Sequence, residues 1–73
     1  MNSTARKIEI FLNGSSKQID VGSTLSDLLR GLELGEDRVA VELNRRVVSR
    51  KDFGQMKIEE GDRLEIVTFV GGG

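Results

Sequence analysis

The printed sequence ends on three consecutive glycines, Gly71, Gly72 and Gly73, directly after the apolar residues Phe69 and Val70. Because glycine has no Cβ, an extended glycine segment can enter a slot too narrow for any side chain and bring a free α-carboxylate to a nucleotide. We therefore predict that the carboxylate of Gly73 is the reactive group. A frayed terminus or a scar left by cloning is the alternative explanation of these glycines.

The composition argues against a self-sufficient enzyme. The sequence contains no cysteine, histidine, tryptophan, tyrosine or proline. Without cysteine there is no thiol nucleophile, persulfide carrier or thiolate metal ligand, and without histidine there is no imidazole base that titrates near neutral pH. The sequence also has no P-loop, dinucleotide-binding fingerprint or zinc-ligand spacing.

Two groups of charged residues are weaker candidates for a site. The first is a cluster of carboxylates without a histidine partner, which we interpret as a solvated turn: Glu59, Glu60 and Asp62. The second is a basic group made of Arg45, Arg46, Arg50 and Lys51. It could meet an acidic partner, although a charge run of this size is usually a solvated loop. The net charge of −1 gives no general attraction to nucleic acid or to an anionic membrane.

The elements that position the tail must fit into a chain of 73 residues, which is enough for one small domain. We expect that domain to span residues 1–70, with residues 71–73 as a flexible C-terminal tail. Glu9 interrupts the apolar stretch near the N-terminus, which is too short for a signal segment or a membrane span. We therefore expect a cytoplasmic protein that is a monomer when free.

Alternating apolar residues predict a β-hairpin at the start of the chain. Residues 8–12 and 17–21 have the period of two that is typical of half-buried strands, and residues 13–16 supply the turn. The side chains expected to point inward are Ile8, Ile10, Leu12, Ile19 and Val21.

The period then changes to that of a helix. The apolar stripe consists of Leu25, Leu28, Leu29 and Leu32. Thr24 and Asp27 have the spacing of a capping box at the helix start, and Gly35 is a candidate for the residue that ends the helix. We expect this stripe to cover the core rather than to bind a partner.

Further apolar segments complete the predicted sheet. Residues 39–44 alternate as a third strand, and residues 63–70 form a final strand rich in β-branched residues. Between these strands lie the apolar pair at residues 47–48 and a stretch at residues 49–54. We interpret that stretch as one irregular helical turn with Phe53 as its buried anchor.

The last strand becomes apolar on both faces near its end. Its inward face should present Leu64, Ile66 and Val70. Val67 and Phe69 should then project from the open side of the sheet, together with Phe11 from the first strand. These three side chains are either a docking surface beside the tail or scattered exposed hydrophobic residues of the ordinary kind.

The order of elements predicts an α+β fold with a mixed sheet of four or five strands and one main helix packed across one face. A right-handed crossover would place the last strand parallel to the first, in the middle of the sheet. This arrangement is the β-grasp, or ubiquitin-like, fold.

Three segments of the sequence form a recognisable combination: the V-x-x-N sequence within residues 39–50, the G-D-x-L-E-I sequence within residues 61–67, and the terminal glycines. Together they resemble the ThiS family, the sulfur carriers of bacterial thiamine biosynthesis. The resemblance covers nearly the whole chain. The sequence departs from the family in lacking a proline near Ser49 and in the extension over residues 1–6.

The resemblance implies a carrier or co-substrate protein that is not itself an enzyme and binds no cofactor. A ubiquitin-activating-type adenylyltransferase, ThiF-like, would use ATP to adenylate Gly73, which would then become a thiocarboxylate. The sulfur would pass to a thiazole synthase, ThiG-like. Gly71 and Gly72 would thread the channels of these partners, while Val67, Phe69 and Phe11 would dock.

Several alternatives share parts of this pattern. The tail alone does not separate a thiamine carrier from one that serves molybdopterin synthesis or another sulfur pathway. A ubiquitin-like modifier joined to lysines would have the same terminus, and a β-grasp interaction module could have chemically inert glycines.

Overall fold

A computed structural model of the chain describes residues 6–69. In chain order, the strands and the helix are β1 (Lys7–Leu12), β2 (Ser15–Asp20), α1 (Leu25–Gly31), β3 (Val39–Leu43), β4 (Arg46–Val48) and β5 (Arg63–Thr68). Two short 3₁₀ helices span Glu36–Arg38 and Arg50–Asp52.

The five strands form one mixed sheet in the order β2-β1-β5-β3-β4. β5 runs parallel to β1 and antiparallel to β3, so the last strand lies in the middle of the sheet. This topology confirms the predicted α+β class and the predicted parallel placement of the first and last strands. The strand that leads to the tail is therefore held by a neighbour on each side.

Among residues 6–69, the buried apolar side chains form one hydrophobic core between α1 and the sheet. Its buried side chains are Ile10, Ile19, Leu25, Leu28, Leu29, Val39, Val41, Val48, Phe53, Ile58, Leu64 and Ile66. Three of the four leucines of the helical stripe are buried, and Leu32 is half-buried at the C-cap. Phe53, which follows the second 3₁₀ helix, is 1% exposed, as expected of an anchor.

The start of α1 is the predicted capping box. The Asp27 backbone N–H donates to Thr24 Oγ1 at 3.1 Å, and the Thr24 backbone N–H donates to Asp27 Oδ2 at 3.0 Å. The hydrogen bond from the Thr24 backbone is the main reason that the pKa of Asp27 lies below its ordinary value. The carboxylate is thus kept charged in the first turn, where the helix dipole favours a negative group.

The end of α1 differs from the prediction, because Gly35 does not terminate the helix. Glu33 takes the left-handed conformation, with φ of 61°. Its N–H donates to the Arg30 carbonyl at 3.0 Å, and the Leu34 N–H donates to the Leu29 carbonyl at 2.9 Å. This is a Schellman motif in which glutamate occupies the position that glycine usually takes. Gly35, with φ of −74°, instead precedes the first 3₁₀ helix.

Replacing Glu33 by glycine is expected to raise the free energy of unfolding by about 0.5–1 kcal/mol. The left-handed conformation costs a residue with a Cβ about 1–2 kcal/mol, and the greater freedom of glycine in the unfolded chain offsets part of the gain. Urea denaturation measures the difference.

Gly35→Ala is the control for that substitution and should change stability by less than about 0.5 kcal/mol. Its φ suits an alanine, and the added Cβ would lie 3.1 Å from Asp37 Oδ1, the end of a side chain that can move. If Glu33→Gly lowered the free energy of unfolding and Gly35→Ala lowered it strongly, the helix would end at Gly35 rather than at Glu33.

The turn of the hairpin is shorter than predicted, and the prediction that Val21 points into the core is wrong. Asn13 and Gly14 alone form the turn, with φ of 50° and 84°, so β2 begins at Ser15 rather than at residue 17. Val21 was expected to point inward but is 53% exposed. β2 ends at Asp20, and Val21 belongs to the turn that follows, so the alternation no longer applies to it.

Candidate functional site

β5 anchors the segment that leads to the terminal glycines. The strand ends at Thr68, and the next residue is still tied to the sheet because the Phe69 N–H donates to the Arg38 carbonyl at 2.8 Å. Residues 70–73, which include the predicted reactive Gly73 and the threading residues Gly71 and Gly72, lie outside the described residues. The site can therefore be followed up to Phe69.

A side chain from the hairpin turn extends the support of β5 beyond the end of β1. Asn13 Oδ1 accepts from the Ile66 N–H at 2.8 Å, and Asn13 Nδ2 donates to the Ile66 carbonyl at 3.3 Å. The amide thus occupies the place that the next peptide of a parallel strand would take. Sequence reasoning assigned Asn13 only to the turn, since its partner lies 53 positions away.

The final strand ends at Thr68 rather than at residue 70, and its two faces are as predicted over the described residues; Val70, predicted to point inward, lies outside them. Leu64 and Ile66 point into the core, with 1% and 8% of their surfaces exposed. Val67 and Phe69 are 59% and 54% exposed. Two large apolar side chains are therefore available to a partner immediately before the tail.

Phe11 lies on the same outward face but not beside that apolar pair. It is half-buried, and its cross-strand neighbour is Arg63, whose guanidinium carbon lies 4.8 Å from the centre of the phenyl ring. Arg63 precedes Val67 by four residues, a separation of about 13 Å at the usual rise of a strand. The structure therefore does not bring Phe11 together with Val67 and Phe69, and its docking role stays a prediction.

The outward face has further apolar members that sequence reasoning missed. Ala40 lies directly opposite Val67, and Val47 on β4 is 78% exposed. Because Val47 and Val48 are adjacent and identical, the sequence does not indicate which of the two side chains points outward. The register of β3 with β4 decides it, since Val48 pairs with the buried Val41.

Asn44 and Asp62, which belong to two of the segments that resemble the ThiS family, form a side-chain clasp between two loops. Asn44 Nδ2 donates to Asp62 Oδ1 at 3.0 Å, while Asn44 Oδ1 accepts from the Arg63 N–H at 2.9 Å. Asp62 Oδ2 also accepts from the Glu59 N–H at 2.8 Å. The clasp joins the β3–β4 turn to the loop before β5 and so fixes where the last strand begins.

Removal of the Asp62 carboxylate by Asp62→Ala is expected to lower the free energy of unfolding by about 1–3 kcal/mol, because two donors lose their acceptor. Asn44→Gly removes the other partner and keeps the left-handed backbone that this position needs, with φ of 52°. Urea denaturation of both single variants and the double variant gives their coupling energy. Glu59→Ala is the control. Strict additivity of the two substitutions would contradict the clasp.

The charged groups considered in the sequence do not form a reactive cluster. The carboxylate of Asp62 belongs to the clasp, and Glu60 Oε1 accepts from the Glu9 N–H at 3.2 Å. The basic side chains Arg45, Arg46, Arg50 and Lys51 are all exposed, at the β3–β4 turn, in β4 and in the second 3₁₀ helix. Within residues 6–69, no three acidic residues lie close enough together to hold a metal ion. The same residues contain no helix of the length and apolar character needed to cross a membrane.

Comparison with known proteins finds one matching family profile, several similar sequences and similar solved structures. The sequence profile of the ThiS family matches residues 10–73. Over 66 residues, the chain is 44% identical to a thiazole synthase of Magnetococcus marinus, a match that covers 90% of this chain and 20% of that protein. The chain thus spans about one fifth of the length of this relative.

Two shorter proteins match along their whole length. The sulfur carrier protein ThiS of Escherichia coli is 26% identical over 66 residues, with 90% of this chain and 100% of the relative covered. The crystal structure of the thiamine biosynthesis protein ThiS of Geobacter metallireducens superimposes with a TM-score of 0.76 at 30% identity, covering 90% of this chain and 100% of that chain. With the profile matching all but the first nine residues, this chain belongs to the ThiS family of ubiquitin-like β-grasp proteins.

Proposed function

We propose that the chain is a sulfur carrier of thiamine biosynthesis and that the α-carboxylate of Gly73 is the group that carries the sulfur. One observation supports this most: the central strand of a ThiS-family fold, with exposed Val67 and Phe69 at its end, leads directly to three glycines. The 73 residues contain no cysteine, so none of their side chains can form a persulfide.

The proposed chemistry has two steps. The Gly73 carboxylate first attacks the α-phosphorus of ATP, and pyrophosphate leaves to give an acyl adenylate. Hydrosulfide, or a sulfur donor equivalent to it, then attacks the acyl carbon and displaces AMP, which leaves a thiocarboxylate and releases a proton. The residues of this chain supply only the carboxylate and a glycine segment narrow enough to bring that carboxylate to the nucleotide in the partner's active site. An adenylyltransferase of the ubiquitin-activating type, ThiF-like, supplies the nucleotide site.

The partner that takes the sulfur is a thiazole synthase, ThiG-like. Two relatives named thiazole synthase contain a region similar to this chain that makes up 20% of their length, so a segment of this kind occurs in the same protein as a thiazole synthase there. Val67 and Phe69 would contact the partners while the glycines enter their active sites. Aromatic side chains such as Phe69 are enriched in interfaces, where docking removes them from water.

The test is thiazole formation by purified proteins. The chain, its cognate adenylyltransferase and its cognate thiazole synthase are incubated with ATP, sulfide and the remaining substrates of the synthase. We expect thiazole to form in proportion to the carrier supplied. Formation of thiocarboxylate without any thiazole would assign the chain to another sulfur pathway, and the absence of both products would contradict the carrier function.

A further inference from the structure

The outward face of the sheet contains two glutamates in an unfavourable arrangement. Glu42 of β3 and Glu65 of β5 lie directly opposite each other, and both are exposed. Side chains paired in this way have Cβ atoms about 5 Å apart, and like charges at that separation destabilise a sheet. The pairing is a local disagreement between sequence and fold of the kind that often marks a functional surface.

Neither glutamate is paired with a cation among the described residues, whose two ion pairs join Lys7 to Asp20 and Arg30 to Asp27. Arg63 lies two residues before Glu65 on the same face of β5, but its guanidinium lies over the Phe11 ring. Neither Glu42 nor Glu65 takes part in an ion pair between residues 6 and 69.

Exposed apolar side chains border the two carboxylates. Val47 lies directly opposite Glu42 on the side away from Glu65. One row further along the strands, Ala40 lies opposite Val67, and Phe69 follows directly after the end of β5. A partner that covers Val47, Val67 and Phe69 must therefore also cover both glutamates.

We propose that Glu42 and Glu65 together receive an arginine or lysine side chain of the thiazole synthase when the synthase docks on this face; the proposal rests on the sulfur-carrier function above. Burying two like charges without a counter-ion is strongly unfavourable, so an apolar surface alone would be rejected there. A cation placed between the carboxylates removes that cost, and a guanidinium can donate to both.

This arrangement would separate correct from incorrect partners. The apolar residues supply contact area that many proteins could cover, whereas the carboxylate pair penalises every partner that lacks a matching cation. Glu65 lies eight residues before Gly73, so the Cα atoms of these two residues are at most about 29 Å apart.

The experiment measures binding of the purified chain to its cognate thiazole synthase by calorimetry at low and high salt. E42Q/E65Q removes both charges and keeps the shape of the side chains. E33Q/E59Q is the matched control, because it removes two exposed glutamate charges from other parts of the surface. Phe69→Ser removes apolar contact without a change in charge.

We expect E42Q/E65Q to weaken binding at least about tenfold and to reduce its salt dependence, as loss of a desolvated charge pair does. The melting temperature of E42Q/E65Q should be no lower than that of the parent. The control should bind within about twofold of the parent, and Phe69→Ser should weaken binding while the salt dependence stays the same.

Two outcomes would overturn the proposal: E42Q/E65Q binding as tightly as the parent, or the control losing as much affinity as E42Q/E65Q. Conversion of each variant to the thiocarboxylate by the adenylyltransferase is measured separately. A chain that is converted normally but shows no dependence on Glu42 and Glu65 refutes only the inference about the synthase. A parent chain that is never converted refutes the carrier function itself.

Discussion

A chain extended by one alanine after Gly73 is expected to lose ATP-dependent formation of both the adenylate and the thiocarboxylate. The added residue converts the Gly73 carboxylate into an amide and moves the free carboxylate about 3.5 Å further along the chain. A misplacement of about 1 Å can already cost about a hundredfold in rate, so the loss should be close to complete. Intact mass after incubation with the adenylyltransferase, ATP and sulfide measures both products.

The fold should not change in this extended chain. The hydrogen bonds that the structure describes for β5 and Phe69 join residues before position 70, and the extension alters none of those residues. The melting temperature should therefore equal that of the parent. An alanine added before Met1 is the matched control and should leave the conversion intact. Normal thiocarboxylate formation by the chain with the C-terminal alanine would contradict the assigned role of Gly73.

Leu29→Ala is expected to lower the free energy of unfolding by about 2–5 kcal/mol. Leu29 is fully buried in α1, with 0% of its surface exposed, and truncation would leave a cavity between the helix and the sheet. A domain of this size has a total stability of about 5–10 kcal/mol, so the loss is a large share of it. Urea denaturation at constant temperature gives the value.

Leu32→Ala is the control for the core, because Leu32 belongs to the same apolar stripe but is only half-buried at the C-cap. Its truncation removes less buried surface and leaves no enclosed cavity, so its cost should be clearly smaller than that of Leu29→Ala. Equal losses of unfolding free energy would mean that the leucine stripe does not pack as described. A negligible loss from Leu29→Ala would mean that α1 does not pack against the core.

Local patterns were enough to predict most of the fold. The period of two around Ile10, the period of 3.6 around Leu28 and the spacing of Thr24 and Asp27 each involve residues close in sequence. Such patterns directly reflect which side of an element meets the core. The position of the last strand followed from the handedness of crossover connections. The exposed pair Val67 and Phe69 followed once one face of the sheet was assigned to the helix.

The remaining features depend on interactions that local patterns do not contain. Glutamate seldom adopts the left-handed conformation, so the sequence predicts that the first glycine after the leucine stripe, Gly35, ends α1 in place of Glu33. The amide of Asn13 binds β5 across 53 positions, and the opposition of Glu42 and Glu65 depends on the register between two strands. The prediction that Val21 points inward is wrong for a simpler reason. The alternation of apolar residues continues in the sequence after β2 has ended.

Sulfur transfer to Gly73 is tested most directly by the intact mass of the unaltered chain after incubation with its cognate adenylyltransferase, ATP and sulfide. We predict a mass increase equal to the replacement of one oxygen by sulfur, located at Gly73 by fragmentation of the C-terminal peptide and dependent on ATP. An unchanged mass, or attachment of Gly73 to a lysine of another protein in place of sulfur, would contradict it.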